Sequence, residues 1–273
     1  MAAPTARTRA GPTRRTAPSW VPAFEYWWTQ YKRTWISSVV TRFLMPVLFL
    51  VSMGIFLGDY VDRAAGGVGG TPYLQFVVPG ILASQAMWAA VGESTYSVLG
   101  ALRWTRQYHA MLATPLRVAD VLLGHLVYVT LSLAFGTVAF VVVGALFGAW
   151  ASWGVLLAVP VVVLTGLAFA VPCFAYAARY TDTAENGFSV IYRLVVTPLF
   201  LVSGTFFPVE QLPAVLRPVA WLTPLWHGVA ATRSLATGTA DWAAVAGHAG
   251  FLVLVVGLSG WWAAAAFRRR LVV

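Results

Sequence analysis

The chain has 273 residues, of which 59% are hydrophobic and only 10% are charged. A soluble globular domain carries roughly 25% charged residues, so this composition excludes a solvated globular surface and indicates an integral membrane protein. The net charge of +9 comes from basic residues that flank apolar runs, which favours a topology signal or anionic membrane lipid over a nucleic-acid partner.

The amino-terminal residues are predicted to form two different segments. Residues 1–19 are rich in Ala, Pro, Thr and Arg, which predicts a disordered basic tail. Residues 20–35 place six aromatic side chains within an arc of roughly 100° on one helix face. These are Trp20, Phe24, Trp27, Trp28, Tyr31 and Trp35. The pattern predicts an amphipathic helix at the membrane interface rather than the first turn of a span.

Six apolar runs are long enough to cross a bilayer, which takes about 20 residues per helix. The predicted spans are 36–58, 73–99, 118–148, 154–178, 187–204 and 244–267. Basic residues lie before the first span, in the loop after the second and after the last, as is typical of cytoplasmic segments. We therefore expect one all-α membrane domain over 20–273 with both termini in the cytoplasm. The apolar, proline-broken segment 205–243 then lies outside.

The inventory of reactive residues argues against an enzyme. The only lysine is Lys32, in the predicted interfacial helix, so a G-x-x-x-x-G-K-[ST] phosphate loop is impossible. The four histidines are scattered without an H-E-x-x-H motif, and no metal or cofactor site is predicted on this chain. A secondary carrier should show repeated halves, and none is evident. An intramembrane enzyme and a secondary carrier are therefore the less favoured alternatives.

Two charges inside predicted spans suggest a polar contact between helices. Glu93 and Arg193 each lie about 10 Å from the cytoplasmic end of their span, so they are predicted to pair. The alternative is that Arg193 snorkels toward Glu185 or Asp182 while Glu93 faces a hydroxyl. The candidate residues of a transport pathway are Trp88, Glu93, Phe206 and Phe207. The alternative is that the aromatic residues among them pack within the bundle or face lipid.

Two motifs resemble a known family. The loop "MLATPLR" follows the second predicted span, and "SGTFFPVEQLPAVLRPVAWLTPLWHGVAATRSL" precedes the last. In this order they resemble the membrane subunits of type 2 ABC exporters, in particular the nodulation-J-like and daunorubicin-resistance permeases. The resemblance extends from Trp20 to Arg270. It implies a permease of the bacterial inner (plasma) membrane that works as a dimer with two cytoplasmic ABC ATPase subunits, which bind ATP and Mg²⁺.

The resemblance implies two functional segments. Loop 100–117 would contain the coupling helix seated on the ATPase, the alternative being an ordinary basic loop. Its candidate contact residues are Arg103, Trp104, Arg106, Tyr108, His109, Met111, Leu112, Thr114 and Pro115. Many family members carry a glutamate just before the "LLATP"-like stretch, where this chain has His109-Ala-Met-Leu-Ala-Thr-Pro.

The second segment, 205–243, would form external re-entrant helices between spans five and six. We refer to its start as the re-entrant gate, consisting of Gly204, Phe206, Phe207, Pro208, Leu212 and Pro213. The expected cargo is an amphipathic or hydrophobic small molecule such as a drug or metabolite. A lipid-linked oligosaccharide or polysaccharide, moved by the same mechanism, is the alternative.

Overall fold

The protein folds as a bundle of helices. A computed structural model describes residues 18–272 and contains no β-strand in that range. Six helical stretches are long and apolar enough to cross a membrane, so the predicted all-α class with six spans is confirmed. Residues 1–17 of the predicted disordered tail lie outside the described range.

The helices follow one another with short connections. They are α1 (Val21–Phe49), α2 (Gly58–Ala65), α3 (Tyr73–Ser94), α4 (Tyr96–Leu99), α5 (Gln107–Leu112), α6 (Val118–Leu146), α7 (Val155–Arg179), α8 (Ala184–Val190), α9 (Thr197–Val202), α10 (Arg217–Trp221), α11 (Pro224–Thr237) and α12 (Trp242–Leu271). Three π-helical segments (Leu50–Leu57, Gly100–Trp104 and Ile191–Val196) continue α1, α4 and α8, and a 3₁₀ turn covers Val209–Gln211. The candidate spans are Val21–Ala64, Tyr73–Trp104, Val118–Leu146, Val155–Arg179, Ala184–Val202 and Trp242–Leu271.

The predicted boundary between an interfacial helix at 20–35 and a first span at 36–58 is absent. Helix α1 is continuous from Val21 to Phe49, because no glycine or proline lies between Pro22 and Pro46 to end it. It runs alongside the first half of α6: Ser19 donates a 2.5 Å hydrogen bond to Asp120. Further along, Tyr31 reaches Tyr128, with ring centroids 6.5 Å apart.

The six aromatic residues of 20–35 do not share one environment. Four of them form a ladder with centroid separations of 6.2, 6.1 and 5.5 Å. The ladder consists of Trp20, Phe24, Trp28 and Tyr31. Trp27 points away from it and is buried against α6. The helix therefore uses its aromatic residues for packing within the chain as well as for its exposed side.

Helix α7 forms the centre of the bundle and packs against α3, α6, α11 and α12. Small residues allow this close approach of helix backbones. An added Cβ at Gly166 would lie 2.8 Å from the Leu133 side chain of α6 and 3.2 Å from the Ala86 carbonyl of α3. Pro160 and Pro172 are tolerated inside α7 because packed neighbours surround a helix at this position.

The contact between α1 and α6 depends on Gly124. A Cβ at this position would lie 2.6 Å from the Ala23 Cβ and 2.8 Å from the Phe24 backbone nitrogen. We expect Gly124→Ala to lower stability by about 1–3 kcal/mol, because α1 has to move away. The exposed Gly257 of α12 meets nothing within 4 Å, so Gly257→Ala should be neutral or slightly stabilising. Thermal unfolding of both variants in detergent tests this, and an equal effect of the two would contradict it.

Candidate functional site

The end of the bundle that carries most arginines is called the basic end. Its arginines are Arg103, Arg106, Arg117, Arg179 and Arg268–Arg270. Two exposed ion pairs connect its elements: Arg103 with Glu185 and Arg270 with Asp182, each at 3.3 Å. Exposed pairs contribute little stability. Glu185 and Asp182 were alternative partners for Arg193, but in the structure they pair with Arg103 and Arg270.

The predicted coupling loop 100–117 contains one helix, α5, at the basic end. Of its nine candidate residues six are exposed, namely Arg103, Trp104, Arg106, His109, Thr114 and Pro115. Met111 and Leu112 are half-buried and pack against the hydrophobic core of the bundle. Arg106 begins α5 with a φ of +51°, and it is the non-glycine residue with positive φ in the described range. Such a conformation is rare for a side chain of this size.

Tyr108 corrects one sequence prediction, because it is fully buried and is not available to a partner subunit. Its hydroxyl lies 2.6 Å from Nδ1 of His125 on α6. Trp27 of α1 stacks on the same imidazole at a centroid distance of 3.7 Å, and Phe267 of α12 lies 5.5 Å from the Tyr108 ring. Burial raises the pKa of Tyr108 well above its ordinary value, so the phenol stays protonated and shares a hydrogen bond with the imidazole. Tyr108 thus fastens α5 to three long helices.

The predicted Glu93–Arg193 pair is wrong. Glu93 of α3 instead accepts a 3.0 Å hydrogen bond from Nη2 of Arg42 and a 2.5 Å bond from the Ser132 hydroxyl. Arg42 also donates to the Ser132 carbonyl at 2.5 Å and to its hydroxyl. Arg193 is exposed and has no hydrogen bond or ion pair within residues 18–272. The physical reason is helix rotation: Glu93 faces α1 and α6, whereas Arg193 faces away from the bundle.

The cluster of Arg42, Glu93 and Ser132 was not predicted, although the sequence contains a signal for it. Arg42 stands alone within the apolar run of the first span, which marks it as an intramembrane charge needing a partner. Gly136 makes room for it, since a Cβ there would lie 2.7 Å from Arg42 Nη1. One oxygen of Glu93, Oε2, remains buried without a hydrogen-bond partner in the described part of the chain.

The break Ser203-Gly204-Thr205 is the most tightly held part of the re-entrant segment. All three residues are buried, and Gly204 has a φ of +79°, which favours glycine. The Thr205 hydroxyl lies 2.9 Å from that of Ser84, and the Ser203 hydroxyl lies 3.2 Å from that of Thr223. The break therefore joins α3 to the beginning of α11.

Arg233 of α11 satisfies the carbonyl groups of this break. Its guanidinium donates to the carbonyls of Gly204 at 2.7 Å, Thr205 at 3.2 Å and Phe76 at 2.9 Å. It also lies 3.9 Å from the centroid of the Phe76 ring, in cation–π contact. Arg233 lies within the motif that resembles the family, but its role was not predicted. Its distance of about 30 residues from the break left no local signal.

Helix α11 occupies a position between α3, α7 and α12. Gly228 lies against Thr165, and the Ala236 carbonyl accepts a 2.9 Å bond from Ser152 in the loop before α7. The 14 residues of α11 span about 21 Å, which is shorter than a bilayer core. It runs beside the half of α7 farthest from the basic end. This is the geometry that a re-entrant helix requires, and the re-entrant role stays a prediction.

The gate and pathway residues fall into two groups. Phe206 contacts Phe200 at a centroid distance of 5.0 Å, and Phe200 contacts Trp88 at 6.5 Å. Phe207 instead packs with Leu212 in a separate small cluster beside α10. Gly204 is buried, Pro208 is half-buried and Pro213 is exposed. Glu93 belongs to neither group, because it faces Arg42.

Comparison with known proteins identifies the family. The ABC-2 type transporter family matches residues 24–236. "Nodulation protein J" of Rhizobium leguminosarum bv. trifolii is 32% identical over 256 residues, covering 93% of this chain and 94% of the relative. The protein of the same name from Bradyrhizobium diazoefficiens is 32% identical over 261 residues, covering 92% and 96%. "Inner membrane transport permease YadH" of Escherichia coli (strain K12) is 23% identical over 223 residues, covering 78% and 82%.

Six long apolar helices with a basic end define a multi-pass membrane protein. The chain belongs to the ABC-2 type transporter family and is a permease subunit of an ABC transporter. The predicted family resemblance is confirmed.

The charge cluster can be tested by comparing two arginines. We expect Arg42→Met to destabilise the protein by about 3–5 kcal/mol, because it leaves Glu93 buried without its counter-charge. Combining it with Glu93→Leu should restore most of the loss, since an apolar pair needs no partner. Arg193→Met serves as the control and should change stability little. Unfolding of the purified variants in detergent measures this, and a larger loss for Arg193→Met would favour the pairing predicted from sequence.

The break can be tested at Arg233. Lysine keeps the charge but cannot donate to three carbonyls in a fork. We expect Arg233→Lys to cost about 2 kcal/mol and to increase proteolysis between 203 and 216. Arg63→Lys provides the control, because Arg63 makes only an exposed pair with Asp59 within residues 18–272. Equal cleavage of both variants would show that Arg233 does not hold the break.

Proposed function

We propose that this permease is the transmembrane part of an ATP-driven exporter. ATP and Mg²⁺ bind and react on two separate cytoplasmic ABC ATPase subunits, which dock at the basic end of this permease and of a second copy. The chain thus lies in a bacterial inner membrane with both termini in the cytoplasm. The observation that carries this proposal is α5, which presents an exposed face outward and is fastened by Tyr108 to the core of the bundle.

The exposed face of the coupling segment suits a protein partner. Trp104 is 57% exposed at the last position of the π-helical segment Gly100–Trp104, and Arg106 and His109 are exposed near it. Tryptophan and arginine are the residues that most often dominate binding energy at interfaces. Because Tyr108 lies on the opposite side of α5, a displacement of the exposed face is transferred to α6, α1 and α12.

The position of Arg193 supports the proposal that the permease works with a second copy of itself. It lies in the π-helical segment between α8 and α9, where Leu194 next to it is 69% exposed. A charged side chain facing lipid tails is costly, and charges within spans almost always face protein or water. The face that carries Arg193 is therefore turned to a second copy of the chain or to a water-filled path between the two.

The cargo proposed for this path is an amphipathic or hydrophobic small molecule such as a drug or metabolite. The aromatic run of Trp88, Phe200 and Phe206 supports it, because Tyr192 next to Arg193 stacks on Trp88 at a centroid distance of 6.0 Å. These apolar rings, which lie near the charge of Arg193, suit a molecule that has both an apolar body and a polar group. A lipid-linked oligosaccharide or polysaccharide also has such a body and is the second candidate, supported by the similarity to "Nodulation protein J".

The docking of the ATPase is tested on the exposed coupling face. Permease and its ATPase are co-purified, and ATP hydrolysis is measured in proteoliposomes. We expect Trp104→Ala combined with Arg106→Glu to weaken association by roughly tenfold or more and to remove permease-dependent hydrolysis. Arg63→Glu, which changes an exposed arginine at the other end, should leave both unchanged. If the double variant associates with the ATPase as tightly as the wild type, α5 is not the docking site.

A further inference from the structure

A cavity of about 380 Å³ lies within one copy of the chain, between α1, α3 and α6. It is separate from the face of α8 and α9 that carries Arg193. Its apolar wall includes Leu82, Leu133 and Phe140. Its volume falls in the range of small-molecule sites, which are mostly apolar with a few polar groups that orient the ligand.

The polar groups of the cavity are concentrated on α1 and α3. The half-buried Gln85 side chain lines the cavity and makes no hydrogen bond within residues 18–272, so its amide is free to bind a molecule there. Pro46 lies inside α1, so the Arg42 carbonyl four residues earlier loses its helical donor. Gln85 and Arg42 both line the cavity. Gln85 supplies its side-chain amide, and Arg42 supplies a free carbonyl oxygen.

Two hydroxyl groups add to these acceptors. Ser37 donates its proton to the Thr34 carbonyl and Thr137 donates to the Leu133 carbonyl, each at 2.8 Å. Their oxygen lone pairs remain free to accept from a molecule in the cavity. The cavity thus offers mainly acceptors, together with the donors of Gln85.

The charge at the cavity is already balanced. Arg42 lines it, but its Nη atoms are occupied by Glu93 and Ser132. An anionic head group would compete with Glu93 for the guanidinium, and a cationic one would lie beside that guanidinium. Both are unfavourable beside an ion pair that is already formed and mostly buried, with side chains 16% and 25% exposed. The site therefore selects against either sign of charge.

We propose that this cavity binds the uncharged, hydroxyl-bearing head of an amphipathic molecule, with Gln85 as the specificity-determining residue. The hydroxyl protons are donated to the Arg42 carbonyl and to the oxygens of Ser37 and Thr137. The apolar wall holds the first part of the hydrocarbon chain. This inference rests on the proposed export of an amphipathic molecule, and it places a recognition site inside each copy in addition to the proposed path between the copies.

The probe is dodecyl glucoside carrying a photoreactive diazirine in its alkyl chain, added to the full chain in lipid nanodiscs. Labelled residues are located by mass spectrometry, with unlabelled dodecyl glucoside, dodecyl sulfate and dodecyltrimethylammonium as competitors. We expect saturable labelling of α1, α3 and α6 around the cavity, which only the glucoside displaces. Gln85→Leu should weaken it about tenfold, and Ala89→Phe, which fills the cavity, should abolish it.

Matched controls are Gln211→Leu and Ala145→Phe, both at exposed positions outside the cavity, which should label like the wild type. Equal displacement by the charged competitors overturns the selection for an uncharged head. Labelling that survives both cavity variants overturns the site. If Ala89→Phe fails to fold, Gln85→Leu and the competition series decide the question.

Transport is measured separately in proteoliposomes with the ATPase. Cavity labelling without ATP-dependent transport by the wild type would overturn the proposed function and leave the site standing. Transport of the glucoside at the wild-type rate by the Gln85→Leu variant, despite its weakened labelling, would overturn the site and leave the proposed function standing.

Discussion

The arrangement of the re-entrant segment depends on Arg233. A chain that stops being helical among packed helices exposes carbonyl groups that no water reaches, and each such group is costly. Arg233 donates to the carbonyls of Gly204 and Thr205 and to Phe76, so one side chain satisfies the break and attaches it to α3. This contact adds to the packing of α11 against α3, α7 and α12.

The same constraint explains the second polar cluster. A chain with so few charged residues places Arg42 and Glu93 among apolar helices only because each satisfies the other and Ser132 completes the network. In both clusters a glycine provides the space, Gly136 for Arg42 and Gly80 for Arg233. The glycine on one helix and the arginine on another therefore work as a pair, which fixes how the two helices face each other.

The sequence was sufficient for the class, the number of spans and the family, because apolar length and local motifs are properties of contiguous residues. It was insufficient for side-chain partners, which depend on the rotation of each helix about its axis. Arg42 and Arg193 are both isolated arginines in apolar runs, and the predicted pairing with Arg193 rested on depth alone, without Arg42 being considered. The boundary at 35/36 failed for a related reason, since aromatic periodicity describes a face but not whether the helix continues. Tyr108 looked like an exposed contact, but its hydroxyl finds His125 on α6.

Helix α6 connects the two regions to which function is assigned. His125, which is hydrogen-bonded to the Tyr108 hydroxyl, and Ser132, which is hydrogen-bonded to Arg42 and Glu93, are seven residues apart, or about 10 Å along two helical turns. They share one side of α6, the side that also contacts α1 through Trp27 and Arg42. A rigid helix transmits a rotation at one end to the other, so a movement of α5 at the basic end reaches the cavity lined by Arg42 and Thr137. Under the proposed docking of an ATPase at α5, the free energy of ATP binding would alter the cavity through α6, without any contact between partner and cargo.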